Sequence, residues 1–318
     1  MKWIKKGKIF DPTEHQLING CLEFAQSPQT LVFDDFIRVY FSTRQKDLNT
    51  GKYLSHIAYV DFDQHFNILQ ISQKEVIPLG GLGCFDEHGI FPINVLRTDD
   101  KIMAFTCGWS RRVSVSVETS IGLAFSDDNG ETFSKYGTGP ILSSSLQEPV
   151  LVGDGFVKKF GDTFHMWYIF GTKWMPQQEN EPPARVYKIG HAASKDAIHW
   201  IKNEGIPIIA DEIGPDECQA LPTVVKINDR YHMYFCYRHS TDFRSNANRG
   251  YRIGYAYSDD LSTWKRDDEN AGISLSKEGW DSEMMCYPHL FQFKEQIYLL
   301  YNGNQFGRLG FGLAVLEG

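Results

Sequence analysis

No segment of the 318-residue chain is apolar for long enough to cross a bilayer, and the opening Met1-Lys2-Trp3-Ile4-Lys5-Lys6-Gly7-Lys8 is basic without an apolar stretch behind it. Neither a membrane anchor nor a secretory signal is therefore expected. The six cysteines (Cys21, Cys84, Cys107, Cys218, Cys236, Cys286) show no C-x-x-C spacing, and several sit in strand-like runs such as Tyr234-Phe235-Cys236-Tyr237. A disulfide framework or zinc centre does not fit that pattern, whereas reduced buried thiols in a cytoplasmic protein do. Blocks of like charge are also missing. The net charge of −8 is spread over interspersed acids and bases, which argues against nucleic acid or an anionic membrane as the partner. Nothing reads as a long amphipathic helix. What is present is 42% hydrophobic and 14% aromatic residues, enough for a large core in one domain or two.

A repeat decides for one domain over residues 1–318. A Glu followed five positions later by Pro occurs four times, at Glu23 and Pro28, Glu87 and Pro92, Glu217 and Pro222, Glu283 and Pro288. Asp154-Gly155 fills the gap, so Pro28, Pro92, Gly155, Pro222 and Pro288 stand 64, 63, 67 and 66 residues apart. Each unit reads as strands separated by turn residues. In the fourth, Leu221 to Ile227, Tyr231 to Tyr237 and Arg252 to Ser258 precede Asp259-Asp260 and Trp264. Repeats of this size predict an all-β, five-bladed β-propeller of four-stranded antiparallel blades. The last unit is one strand short, and Trp3-Ile4-Lys5 is similar to Trp200-Ile201-Lys202. The N-terminal strand is thus expected to complete the fifth blade and cover its edge.

Ser126 to Phe133 has the S-x-D-x-G-x-T-aromatic form of an Asp-box, repeated more loosely from Ser194 to Trp200 and from Ser258 to Trp264. Such an Asp is expected to bond the backbone of a turn between outer strands. Sialidases carry Asp-boxes too, but with six blades, and their arginine cluster and tyrosine nucleophile have no counterpart in the motifs. With its five-fold repeat and acidic strand starts, the whole chain resembles the five-bladed glycosidases of families 43, 32 and 130. That resemblance implies a pocket at one channel mouth, acidic catalysis and a small-molecule saccharide as substrate. Asp154-Gly155-Phe156 resembles the Asp-Pro-aromatic motif of the pKa-tuning aspartate, and Glu217-Cys218 the Glu-Cys pair around the acid of family 32. Ser27 stands where those families place their first-blade Asp.

Glycoside cleavage needs one protonated and one ionised carboxyl group. Glu217 is the expected acid, and the base is sought among Glu23, Glu87, Asp154 and Glu283. A hydrogen-bond acceptor for loop amides is the other reading of each Glu. Strand direction carries Arg44 and Arg238 to the same mouth, at the level of Trp109, Arg111, Arg112, Lys173, Trp174 and Asn304. His88 is a further channel-facing candidate. Arginine forks match carboxylate or phosphate, which suggests an anionic or activated saccharide, although the same groups could merely neutralise the acids. No cofactor is required by this chemistry. The resemblance to family 43 makes His289 a candidate for holding a structural metal ion in the channel. Two alternatives stay open: a phosphorylase whose arginines hold phosphate, and a non-catalytic carbohydrate-binding propeller.

Overall fold

The computed structural model describes residues 1–99, 101–176 and 182–317. Among the described residues there are strands and short 3-10 turns only, so the chain is all-β. No helix among them is long and apolar enough to cross a membrane. Residues 177–181, within the long loop after Trp174, lie outside the described residues.

The strand order follows the repeat. After β1 (Trp3–Phe10) come β2 (Glu23–Val32), β3 (Phe36–Lys46), β4 (Tyr53–Asp63) and β5 (Ile68–Ile71). The second group is β6 (Gly89–Arg97), β7 (Ile102–Arg111), β8 (Val117–Ser126) and β9 (Ser134–Lys135). The third is β10 (Val152–Phe160), β11 (Thr163–Trp174), β12 (Arg185–Ser194) and β13 (Ile201–Lys202). The fourth is β14 (Glu217–Ile227), β15 (Arg230–His239), β16 (Arg252–Ser258) and β17 (Lys265–Arg266), and the last contains β18 (Cys286–Phe293), β19 (Gln296–Asn302) and β20 (Phe311–Leu316). β1 supplies the fourth strand of that last sheet, pairing antiparallel with β20 from Trp3 and Leu316 to Phe10 and Phe311. The third and fourth groups are separate four-stranded sheets. The first two share one parallel bridge, Ser55 to Gly89, which joins them in an eight-stranded sheet.

The joint between the chain ends is tight. Gly310 has φ of 100°, and a Cβ there would lie 1.8 Å from the Phe10 carbonyl oxygen. Gly310→Ala is expected to lower stability by about 3 kcal/mol, because both the left-handed backbone and the close approach exclude a side chain. Urea denaturation reads this, and an unchanged midpoint would mean that the joint contributes little.

The first strands of the groups pack in order, β2 on β6, β6 on β10, β10 on β14, β14 on β18 and β18 on β2. They are not laddered to one another, so buried side chains satisfy their spare backbone groups. Thr30 N donates to His289 Nε2 (3.0 Å), Val157 N to Asn94 Oδ1 (2.9 Å) and Leu290 N to Thr223 Oγ1 (3.0 Å). Each first strand also carries a bulge at the same place, for example between Gly153 and Phe156, Ala220 and Thr223, and Cys286 and His289. There Ser27, Asp154, Leu221 and Tyr287, each directly before Pro or Gly, take φ of 54°, 51°, 49° and 56°, while Phe91–Pro92 is cis. Left-handed backbone is disfavoured for residues with a Cβ, so its recurrence shows that the surrounding packing imposes it. The repeated Pro or Gly marks this bulge.

The Asp-box turns recur between outer strands. Asp128 accepts from Thr132 N (2.9 Å), Asp196 from His199 N (2.8 Å) and Asp260 from Thr263 N (2.8 Å). In the two looser copies the indole N–H of Trp200 or Trp264 donates to the carbonyl three residues earlier.

Candidate active site

The bulges open onto a cavity of about 600 Å³. Phe91, Asp154 and Tyr287, from three of the five bulge positions, line it. Among the five residues before Pro or Gly, only Asp154 is an acid. It is 7% exposed. Burial raises its pKa to about 7, against the Arg185 charge and the Leu221 backbone N–H, which favour the ionised form. A large share of Asp154 is therefore protonated at neutral pH.

The four Glu of the repeat occupy equivalent sequence positions but unlike environments. Glu217, the expected acid, does not line the cavity. Its buried carboxylate takes Arg266 Nη1 (2.6 Å) and Gln219 Nε2 (3.0 Å) on one oxygen, and the backbone N–H groups of Glu212 (2.8 Å) and Ile213 (3.0 Å) on the other. Every acceptor direction is engaged by protein, so this group fills the structural role of loop anchor. Glu87 similarly accepts from Gly83 N (3.1 Å). Glu23 forms a two-pronged pair with Arg308, whose Nε and Nη2 donate over 2.9 and 2.7 Å. Glu283 does line the cavity, at its exposed rim. In the second, third and fifth groups the bulge turns Phe91, Asp154 and Tyr287, the residues before Pro or Gly, toward the opening, while Glu23, Glu87 and Glu217 are taken up by neighbouring loops.

Arg44, Arg238 and Trp109 line the cavity. Arg111 and Arg112 line an adjoining groove of about 580 Å³ that shares Tyr53 and Trp109. There Arg111 Nη2 donates to Tyr53 O (2.7 Å) and Arg112 pairs with Glu118. His88 stacks on Trp109 (ring centroids 5.9 Å apart) and lines neither space, its pKa lowered by burial and by Arg111. Lys173 pairs with Asp216 (2.6 Å), while Trp174 packs on the core with the Arg185 guanidinium 5.9 Å from its ring. Asn304 Oδ1 accepts from Glu283 N (2.8 Å) and Met284 N (3.2 Å), holding the rim. His289 spends Nε2 on Thr30, and burial drives its pKa down to about 3. Among the described residues no group of three or more His, Cys, Asp or Glu is placed to hold a metal ion.

Arg244, on the long polar loop after Arg238 whose arginines suggest an anionic substrate, lines the cavity, and so do Arg185, Tyr187, Tyr251, Tyr287 and Arg308, which were not among the candidates. Tyr287 was findable, since it stands before Pro288 as Asp154 stands before Gly155. The others come from strand ends and loops without a repeating signal. Together they do form an arginine cluster with tyrosines: Arg238 Nη2 donates to Tyr187 OH (2.8 Å), which lies 2.8 Å from Tyr251 OH.

Over 325 aligned residues, spanning the whole of both chains, the sequence is 32% identical to the uncharacterized protein Rv1502 of Mycobacterium tuberculosis. The chain belongs to the family of Rv1502. No family model matches it. A solved glycoside hydrolase shares the fold with a TM-score of 0.74 at 16% identity, over 99% of this chain and 91% of that one. A thermostable family-43 glycoside hydrolase gives 0.64 at 13% identity, over 94% and 91%. A family-130 structure, described with mannoside phosphorylases and hydrolases of β-1,2 mannosidic linkages in Candida mannan, gives 0.66 at 13% identity, over 100% and 90%. The fold is that of the propeller-type glycoside hydrolases, among which a family-32 β-fructofuranosidase of Bombyx mori also superposes, with a TM-score of 0.60.

Proposed function

We propose that this protein cleaves or transfers a glycosidic bond in a small saccharide, with Asp154 as proton donor, on one five-bladed propeller domain spanning residues 1–318. Five groups of four strands, and first strands that pack in sequence from β2 back to β2, support the blade count. The six cysteines are all free thiols, which supports a reducing, cytoplasmic setting.

One observation carries the reaction: among the described residues a single buried carboxyl group lies in the cavity wall, with its pKa lifted to about 7. As the bond between the anomeric carbon and the leaving oxygen breaks, that oxygen takes the Asp154 proton. Asp154 is left as a carboxylate beside the Arg185 charge and the Leu221 N–H, both of which favour that form. Water or an acceptor hydroxyl forms the new bond to the anomeric carbon. Its proton passes to Glu283, the other carboxylate on the wall. The chemistry needs only these two groups and a bound sugar.

A phosphorolytic reading is favoured by arginines on the wall that have no carboxylate partner. Phosphate would then supply the attacking oxygen, and Asp154 alone would suffice. Incubation with a panel of aryl glycosides and disaccharides separates the readings. Free sugar released without phosphate supports hydrolysis, and sugar 1-phosphate formed only when phosphate is present supports phosphorolysis. Saccharide binding with no turnover of any panel member would overturn both in favour of a binding module.

A further inference from the structure

One side of the cavity carries more positive charge than acid-assisted cleavage requires. Arg44, Arg238 and Arg244 line it together, and among the described residues none of them pairs with a carboxylate. Arg308, which also lines the wall, is already matched by Glu23. The three guanidinium groups are held in place by other means. Arg44 Nη2 donates to Gln26 Oε1 (2.9 Å), and Gln26 in turn donates to Phe306 O (2.6 Å). Arg238, 4% exposed, is fixed through Nη1 to His239 O (2.7 Å) and through Nη2 to Tyr187 OH, while its buried Nε has no partner. Arg244 and Arg238 both lie over the Phe243 ring, at 4.3 and 3.5 Å from its centre.

From this arrangement we infer that Arg44, Arg238 and Arg244 form a clamp for a phosphate-class dianion carried by the saccharide itself, so that the substrate is a sugar phosphate or a phosphorylated glycoside. The inference rests on the reading of the cavity as a saccharide site. Charge balance points to a dianion. A single carboxylate matches one guanidinium fork, whereas a phosphate monoester presents three acceptor oxygens and close to two charges. The three arginines also oppose one another: after burial, the Arg244 charge lowers the pKa of Arg44, and the Arg238 charge lowers that of Arg244. A bound dianion relieves that repulsion.

The aromatic surroundings decide for a phosphate attached to a sugar over the free ion. Phe24 stacks under Arg44 at 4.3 Å, and Phe243 and Phe306 flank Arg244. All three rings line the cavity too. Phe24 and Phe306, each with a single guanidinium beside it, offer a sugar ring an apolar face continuous with the anion site, and a cavity of about 600 Å³ has room for it. Inorganic phosphate would leave those faces uncovered.

Titration calorimetry at low salt tests this with the 1- and 6-phosphates of glucose, mannose, galactose and fructose, the parent sugars, glucuronate and inorganic phosphate. At least one sugar phosphate is expected to bind about 100-fold more tightly than its parent sugar, given two or more charge-assisted hydrogen bonds. Arg44→Gln and Arg244→Gln are each expected to weaken it about tenfold with an unchanged thermal midpoint; Arg244 lies on an exposed loop, so its replacement leaves the fold intact. Inorganic phosphate binding as tightly as the best sugar phosphate would overturn the proposal in favour of a free phosphate site. Glucuronate binding equally well, or no binding by any phosphorylated sugar, would overturn it as well. Binding does not depend on turnover, so the two readings fail separately. A clamp without cleavage removes only the enzyme, and cleavage of a neutral glycoside without the clamp removes only the dianion.

Discussion

Asp154→Asn is expected to lower turnover about 100- to 10,000-fold, the usual range for removing a general acid, and to make the folded protein more stable above pH 7. Both effects come from burial. The carboxyl group has its pKa raised from 3.8 to about 7 by desolvation. Between those values the folded protein holds a proton that the unfolded chain has released, so wild-type stability falls as pH rises through this window and levels off beyond it. Well below the unfolded value of 3.8 both states are protonated and no penalty exists. At about 1.4 kcal/mol per pKa unit, the penalty reaches roughly 4 kcal/mol by pH 8. Asn cannot ionise, so its stability curve lacks this descent. Denaturant unfolding at pH 5 and pH 8 checks it: the advantage of the variant over wild type must grow with pH. An advantage that is the same at both pH values would remove the titration of Asp154 from the account. Wild-type activity should correspondingly decline as pH rises through about 7, where the proton donor empties.

Glu217→Ala is expected to destabilise the protein by about 3–5 kcal/mol while leaving turnover per folded molecule unchanged. Arg266, with its side chain 6% exposed, would lose the carboxylate 2.6 Å away and keep only Asp268. The backbone N–H groups of Glu212 and Ile213 and the Gln219 amide would lose their acceptor as well. Unpaired buried charge and unsatisfied donors act in the same direction. The paired measurement separates this role from catalysis. If activity fell further than the folded fraction, Glu217 would belong to the site after all, whatever its hydrogen bonds.

These two acids also show how legible the molecule was. The alternation of strands and turns and the short last unit follow from local pattern, and the described residues form twenty strands with β1 on the edge of the last sheet. Asp154 was readable because its Gly155 replaces the recurring Pro. Glu217 misled because spacing reports chain position and not side-chain direction. A bulge between Ala220 and Thr223 intervenes, and in a strand one extra residue reverses which side every preceding residue faces. Arg244 and Arg308 lie in loops whose paths are set by what they pack against, so no periodicity announces them.

By itself the sequence determined the all-β repeat, its five-fold punctuation by Pro or Gly, the turn chemistry of the Asp-boxes and the missing strand that the N-terminus supplies. Each of these depends on interactions within a few residues or on a count. Only the tertiary structure decided which carboxyl group is buried at the cavity and which is locked to an arginine. It alone brought Arg44 from the first group beside Arg238 and Arg244 from the fourth. Protonation and charge balance depend on desolvation and on neighbours distant in sequence, and those exist only once the sheets have packed.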